Sequence, residues 1–241
     1  MLSVEAPEQR ARPSYPKYRA PAGDNTALVE PPISGRVFVA PRTLGIELGS
    51  RSLVELAEQG RGELLAGAKS YTSAYRNVAE GVSPSQPLLL TGHQAELFHA
   101  GVWFKNFVAS RLAEESQGVA IHLVIDTDLC RTTSLRVPTG SVESPRVEAI
   151  PFDTPGPALP YEERRVDDHA LFATFGVRVA EAMAPFGTDP LVREWWPRVV
   201  ERARATGRIG LAIAQARHLL EGQWGLETLE IPQSMVCQLG V

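Results

Sequence analysis

Two short polar clusters stand where apolar runs stop. Thr91-Gly92-His93-Gln94 follows Leu88-Leu89-Leu90, and Asp126-Thr127-Asp128 follows the apolar run 119–125. Histidine titrates near neutrality, so His93 can move a proton or donate to a phosphate. Gly92 lets the backbone turn sharply or approach a ligand closely. Lys105 lies one turn into the segment that follows and can reach back to neutralise a phosphate or carboxylate. In extended backbone the side chains of Asp126 and Asp128 point the same way. Such a pair can hold a ribose hydroxyl, an amine, or Mg²⁺ through water. Arg131 and Arg136 can complete a pocket for an anionic substrate. The expected catalytic groups are therefore His93, Asp126 and Asp128. Thr91, Gly92, Gln94, Lys105 and Arg131 are expected to hold the substrate, and no residue is singled out as a metal ligand.

Each of these side chains also has an ordinary role. A histidine at a strand end can bond the loop backbone, an aspartate can cap the next turn, and lysines and arginines are usually solvated. Glu96 and His99 are read as bonded to each other across the loop. Cys130 adjoins the second cluster, where Arg131 would favour a thiolate, but no paired base is visible. Trp195-Trp196 reads as core plus interface, His218 as structural, and Glu162-Glu163-Arg164-Arg165 as a solvated charge run.

The elements that must position the two clusters are legible from periodicity. Leu88–Leu90 is too short for a helix and follows Pro87, so it reads as a buried strand that breaks at Thr91–Gln94. From about Gly101 to Glu115, Phe104, Phe107, Val108 and Leu112 fall on one side of a helix, whose first N–H groups would face an anion. Gly118 ends it, and 119–125 is a second strand. Strand, loop, helix and strand over 87–126 make a βαβ unit with a right-handed crossover. In open parallel sheets ligands bind beyond the carboxyl ends of the strands, which is where both clusters lie.

Around that unit, residues 1–34 hold Pro7, Pro13, Pro16, Pro21, Pro31 and Pro32 and read as an extended arm, with Tyr15 and Tyr18 as possible anchors. Ser50–Gly60 and Glu63–Glu80 read as two helical pieces separated at Gly60 and Gly62. Thr132–Val137 and Arg146–Phe152 read as an antiparallel excursion. Three helices follow: one capped by Asp167 or Asp168 and running to about Met183, one with Pro190 at its first position, and one over Arg208–Glu221. Leu226–Ile231 is a returning strand. The domain expectation is a Pro-rich arm, 1–34, and a Rossmann-like α/β domain, 35–241, with a helical C-terminal half, incomplete at its C-terminus.

Bulk properties narrow the function classes. The chain has 241 residues, 44% apolar and 22% charged, which suits a globular core. A net charge of −4 argues against a general nucleic-acid binder. The two cysteines, Cys130 and Cys237, form neither a metal-type pair nor a disulfide framework. No apolar stretch has the length of a signal peptide core or a membrane helix. The expected setting is the cytoplasm, without membrane or nucleic-acid partners. No P-loop and no GxGxxG fingerprint occurs.

Thr91, Gly92, Gln94, Ala95, Leu97 and Phe98, with Gly101 and Lys105 behind them, resemble a recurring strand-end element of the putative cysteine ligases of bacillithiol biosynthesis. That element reads approximately Thr-Gly-Gln-Gln-Ala-Gly-Leu-Phe, and this chain departs from it at His93 and Glu96. The acidic cluster Asp126-Thr127-Asp128 looks like a shorter form of the family's second strand end. The match covers about forty residues. The resemblance implies a Rossmann-like core and a ligase or transferase that joins an amino acid or amine to a small anionic substrate. It leaves the cofactor open, with ATP or ADP and Mg²⁺ as the candidates. The other readings are a non-catalytic nucleotide- or anion-binding protein and an assembly scaffold, including a homo-oligomer, of the same fold.

Overall fold

The computed structural model describes residues 17–19, 21–30 and 45–239. Contacts divide the chain into two units, Met1–Arg36 and Val37–Val241. In the first, the described residues hold neither helix nor strand, and Tyr18 is exposed. Tyr15 lies outside the described residues.

Among the described residues, the second unit starts with a minimal hairpin, β1 (Glu47–Leu48) and β2 (Arg51–Ser52), which leads into α1 (Leu53–Ser73). A capping box starts α1: Ser52 Oγ accepts from Glu55 N, and the Glu55 carboxylate accepts from Ser52 N. The two expected helical pieces are one helix. A glycine in a helix interior costs only about 1 kcal/mol, and Leu65, Ala68 and Thr72 continue one buried stripe. Then come β3 (Leu88–Gln94), α2 (Ala100–Glu115) and β4 (Val119–Ile125). Two antiparallel pairs follow, β5 (Leu129–Cys130) with β8 (Leu159–Pro160) and β6 (Ser134–Gly140) with β7 (Pro145–Pro151). The latter is the expected excursion. The chain continues through α3 (His169–Met183), α4 (Leu191–Thr206) and α5 (Ile209–Gln223) to β9 (Thr228–Pro232) and the short α6 (Gln233–Val236).

The architecture is mixed α/β around a three-stranded parallel sheet in the order β3-β4-β9. The βαβ unit is present as expected. The strand does not break at Thr91, however: β3 stays paired with β4 from Leu88↔Val119 to Gln94↔Ile125, so the whole first cluster is strand. Gly92 is extended there and not a sharp turn. A Cβ on it would meet the Leu123 backbone oxygen at 3.4 Å, Leu123 Cβ at 3.5 Å and Ile125 Cδ1 at 3.6 Å.

The two faces of this sheet differ in chemistry. Side chains alternate along each strand, so Val119, Ile121, Leu229 and Ile231 share one face, packed with Leu65 and Ala68 of α1 into an apolar core. The opposite face presents Thr91 and His93, then His122, then Thr228 and Glu230. Helices α2 and α5 cover it, with Ala109 and Ala113 against Ala120 and with Ala214 beside Val124. Thr72 Oγ1 donates to Glu230 O and accepts from Glu230 N, so α1 satisfies the outer edge of β9.

A second apolar core lies among α3, α4 and α5 around Trp196, with Phe172, Phe175, Val199, Ile209 and Ile213. Trp196 Nε1 donates to Phe172 O at 2.5 Å, and Trp195 packs in the same core. Asp168 caps α3 as expected, through Ala170 N and Leu171 N. Pro190 is the residue before α4 and not its first turn. The run Glu162–Arg165 is not simply solvated. Arg164 is buried against Asp153 and Asp167 and donates to Thr154 O, because the segment between β7 and β8 packs against it.

Candidate functional site

The carboxyl ends of β3 and β4 are adjacent and parallel, so the two polar clusters are brought together. Gln94 Nε2 donates to Asp128 Oδ2 at 3.0 Å and ties one cluster to the other. Asp128 also accepts from Leu129 N, and the Gln94 amide with that backbone N–H holds its carboxyl below the usual range. Lys105 and Arg131 are exposed at this mouth. Lys105 is close enough to disfavour a charge on His93, and Arg131 close enough to favour one on Asp128.

The two aspartates diverge. β4 ends at Ile125, and Asp126–Asp128 form a turn, so the alternation of extended backbone no longer applies. Asp126 is buried toward the β9 side, where it accepts from Ser234 N at 2.9 Å and from Ser234 Oγ at 2.5 Å. It anchors the segment after β9, whereas Asp128 is tied to β3, so the two carboxylates do not point the same way as expected. Three other expectations change. His99 Nδ1 accepts from Gly101 N, and His99 O takes the N–H groups of Val102 and Trp103, so the first turn of α2 is already satisfied. Glu96 accepts from Tyr161 Oη at 2.9 Å and not from His99. Burial pushes the Cys130 thiol up, away from a thiolate.

His93 sits one step beneath the mouth. It is buried, tilted against Phe98 at 4.2 Å between ring centroids, and its Nε2 lies 3.0 Å from Asn106 Oδ1. Desolvation, reinforced by the Arg217 charge, lowers its pKa to about 4, so the ring is neutral at neutral pH. Its tautomer follows from its neighbours. Asn106 Nδ2 donates to Glu221 Oε1 at 2.7 Å, which turns Oδ1 toward His93. Oδ1 can only accept, so His93 carries its proton on Nε2. That leaves Nδ1 as a bare acceptor, and it is buried without a partner. Thr91 Oγ1 reaches the same amide oxygen at 3.5 Å.

Behind His93 lies a buried polar layer between the sheet and α5 that the sequence reading did not single out. Arg217 bonds Glu230 at 2.6 Å and approaches Glu221 at 3.3 Å. Burial raises the Glu230 pKa to about 7 against the pull of Arg217. His218 is bonded at Nδ1 to Tyr75 Oη and at Nε2 to Thr228 Oγ1. His122 pairs in register with Glu230 across the sheet, yet neither of its ring nitrogens has a hydrogen-bond partner. Burial holds both histidines well below the ordinary imidazole range. Two signals pointed here: a histidine inside the apolar run Val119–Ile125, and His218 and Glu221 three residues apart on one helix face.

A cavity of about 1110 Å³ opens at the opposite end of the sheet, beside Val119 and Thr228. Arg76 lines it and is committed to the carbonyls of His218 and Leu226. Among the described residues, the unpartnered buried polar atoms concentrate in the layer behind the mouth, on His93, His122, Arg217 and Glu221. No helix among the described residues is long and apolar enough to cross a membrane. No protein-family model matches the chain, and no curated protein matches its sequence.

Proposed function

We propose that the chain is a ligase- or transferase-type enzyme with a Rossmann-like core, joining an amine to a small anionic substrate at the mouth formed by β3 and β4. The observation that carries this reading is the bare Nδ1 of His93, held neutral and in a fixed tautomer at the carboxyl end of a parallel strand pair. A neutral acceptor there can take a hydrogen bond from an attacking amine and orient its lone pair toward an electrophile. Lys105 and Arg131 supply positive charge for the anionic partner, and Asp128, braced by Gln94, can hold an ammonium or a ribose hydroxyl. ATP or ADP with Mg²⁺ is the proposed activating cofactor, by analogy with the cysteine-adding family. The motif residues Thr91, Gly92, Gln94 and Lys105 support that analogy.

A binding protein without turnover is the second reading. It is favoured by the commitment of Asp126 to Ser234, which removes one expected catalytic group. A thermal-shift screen with ATP, ADP, AMP, Mg²⁺, cysteine and amino-sugar conjugates tests the site. Ligand at a hundred times its dissociation constant adds about 2.7 kcal/mol of stability. The expected result is a shift in the wild type that disappears in His93→Ala. A shift retained in folded His93→Ala, or no shift with any ligand, refutes the site. Turnover of the ligands that shift separates enzyme from binder.

A further inference from the structure

We propose that His122 of β4 and His218 and Glu221 of α5, brought together in the buried layer behind the mouth, form a site for one divalent metal ion of the zinc class. This goes beyond the ligand mouth and does not depend on it. A ring nitrogen of each histidine and a carboxylate oxygen of Glu221 lie within 4.8 Å of one another, and all three residues are buried. His122 Nδ1 and Glu221 Oε2 are 3.5 Å apart. Two ligands of one tetrahedral zinc, each about 2.0–2.1 Å from the ion, stand about 3.3–3.4 Å apart. These two atoms are therefore already at metal-ligand spacing.

The second observation is what these atoms lack. His122 is fully buried with both ring nitrogens unpartnered, and Glu221 Oε2 is buried and unpartnered as well. Leaving such groups dry and unpaired is costly, and an ion removes that cost at a His122 nitrogen and at Glu221 Oε2 together. His122 is also held neutral by its burial, the form in which imidazole ligates.

The supporting bonds are those of a metal site. Trp103 Nε1 and Asn106 Nδ2 donate to Glu221 Oε1, at 2.6 and 2.7 Å. They fix the carboxylate with Oε2 left over. Thr228 Oγ1 and Tyr75 Oη hold the two nitrogens of the His218 ring, at 2.9 and 2.6 Å. Binding exchanges one of these two bonds for the ion and keeps the other as the outer partner that orients the ring. Tyr75 Oη has a second acceptor in Glu230 Oε2 at 3.0 Å, so its release strands no hydroxyl. Arg217 adds positive charge nearby, but its guanidinium bonds Glu230 and meets Glu221 on Oε1, away from the proposed ion. Two imidazoles and a carboxylate are a known zinc ligand set with one position open for water.

The test uses the full chain, stripped with a chelator and then equilibrated with Co²⁺ or Zn²⁺. Elemental analysis should find about one ion per chain, and Co²⁺ should give the visible bands of a four-coordinate site. The bands should vanish in His122→Gln and in Glu221→Gln and persist in Tyr75→Phe, which removes a competing bond to His218. Because loss of the fold in either variant would also remove the bands, the wild type carries a second readout: Co²⁺ should displace the ring-proton resonances of His122 and His218 in NMR spectra. No Co²⁺ uptake, unchanged bands in folded His122→Gln, or uptake without displacement of those resonances overturns the proposal.

Discussion

Replacing Asn106 with leucine tests the hydrogen-bond chain that sets up His93. Asn106 is wholly buried and bonds in two directions, to Glu221 Oε1 at 2.7 Å and to His93 Nε2 at 3.0 Å. Leucine keeps the branched four-atom side chain but is bulkier, and it makes neither bond. Losing the donor to a carboxylate costs about 1.5–3 kcal/mol, and stranding the buried His93 N–H adds about 1–3 kcal/mol. The expected loss is about 3–5 kcal/mol, a large part of the 5–15 kcal/mol that holds a typical domain. Urea denaturation in the presence of a chelator reads this loss without a contribution from bound metal. With a slope of about 2 kcal/mol per molar, the midpoint should fall by about 2 M without a change in slope. Nitrogen-15 NMR of the wild type should show His93 with its proton on Nε2. A cost below about 1 kcal/mol would mean that these groups are satisfied some other way. A proton on Nδ1 would remove the bare acceptor on which the proposed chemistry rests.

Three further outcomes are expected. His93 should titrate in NMR near pH 4. Its folded pKa lies below the unfolded value, so it favours the fold fully above about pH 6.5, and that contribution is lost as the pH falls toward 4; a midpoint at or above 6.5 would contradict its burial. Asp126→Ala removes two hydrogen bonds to Ser234 and should cost about 1.5–3 kcal/mol in thermal melts. Asp128→Ala should leave the melt nearly unchanged while weakening any ligand found in the screen, and equal effects of the two would refute their separate roles. Gly210→Ala places a Cβ 2.8 Å from Tyr161 Cβ and 2.9 Å from Ala95 Cβ, so it should destabilise by about 1–3 kcal/mol; an unchanged melting temperature would show that α5 can move away from β8 and the mouth.

What the sequence made legible was local. The βαβ unit, the Asp168 cap and the antiparallel excursion follow from periodicity and from residues only a few positions apart. The divergence of Asp126 and Asp128 did not follow, because it depends on Ser234, which returns beside β4 only after the C-terminal helices have folded. The polar layer is the larger omission. His122, His218, Glu221 and Glu230 lie in three elements, and their meeting is a consequence of β9 pairing with β4. His218 reads as structural because apolar residues surround it in α5, and nothing local reveals Tyr75 and Thr228 as its partners. Arg164 shows the same effect: within a run of charges it looks solvated, yet Asp153 waits for it in the interior.

The pairing of β9 with β4 also has a kinetic consequence. β3, α2 and β4 are contiguous and can assemble as soon as they are made, but Ala120 must wait for Thr228. The intervening chain must fold and close a long loop first, and such non-local pairing slows folding. Until β9 arrives, β4 has an unpaired edge, and His122 remains on a face that α5 has yet to cover. An emerging chain on the ribosome would thus carry an exposed strand edge of the kind that promotes misassembly. Docking of β9 beside β4 is the point at which that hazard closes.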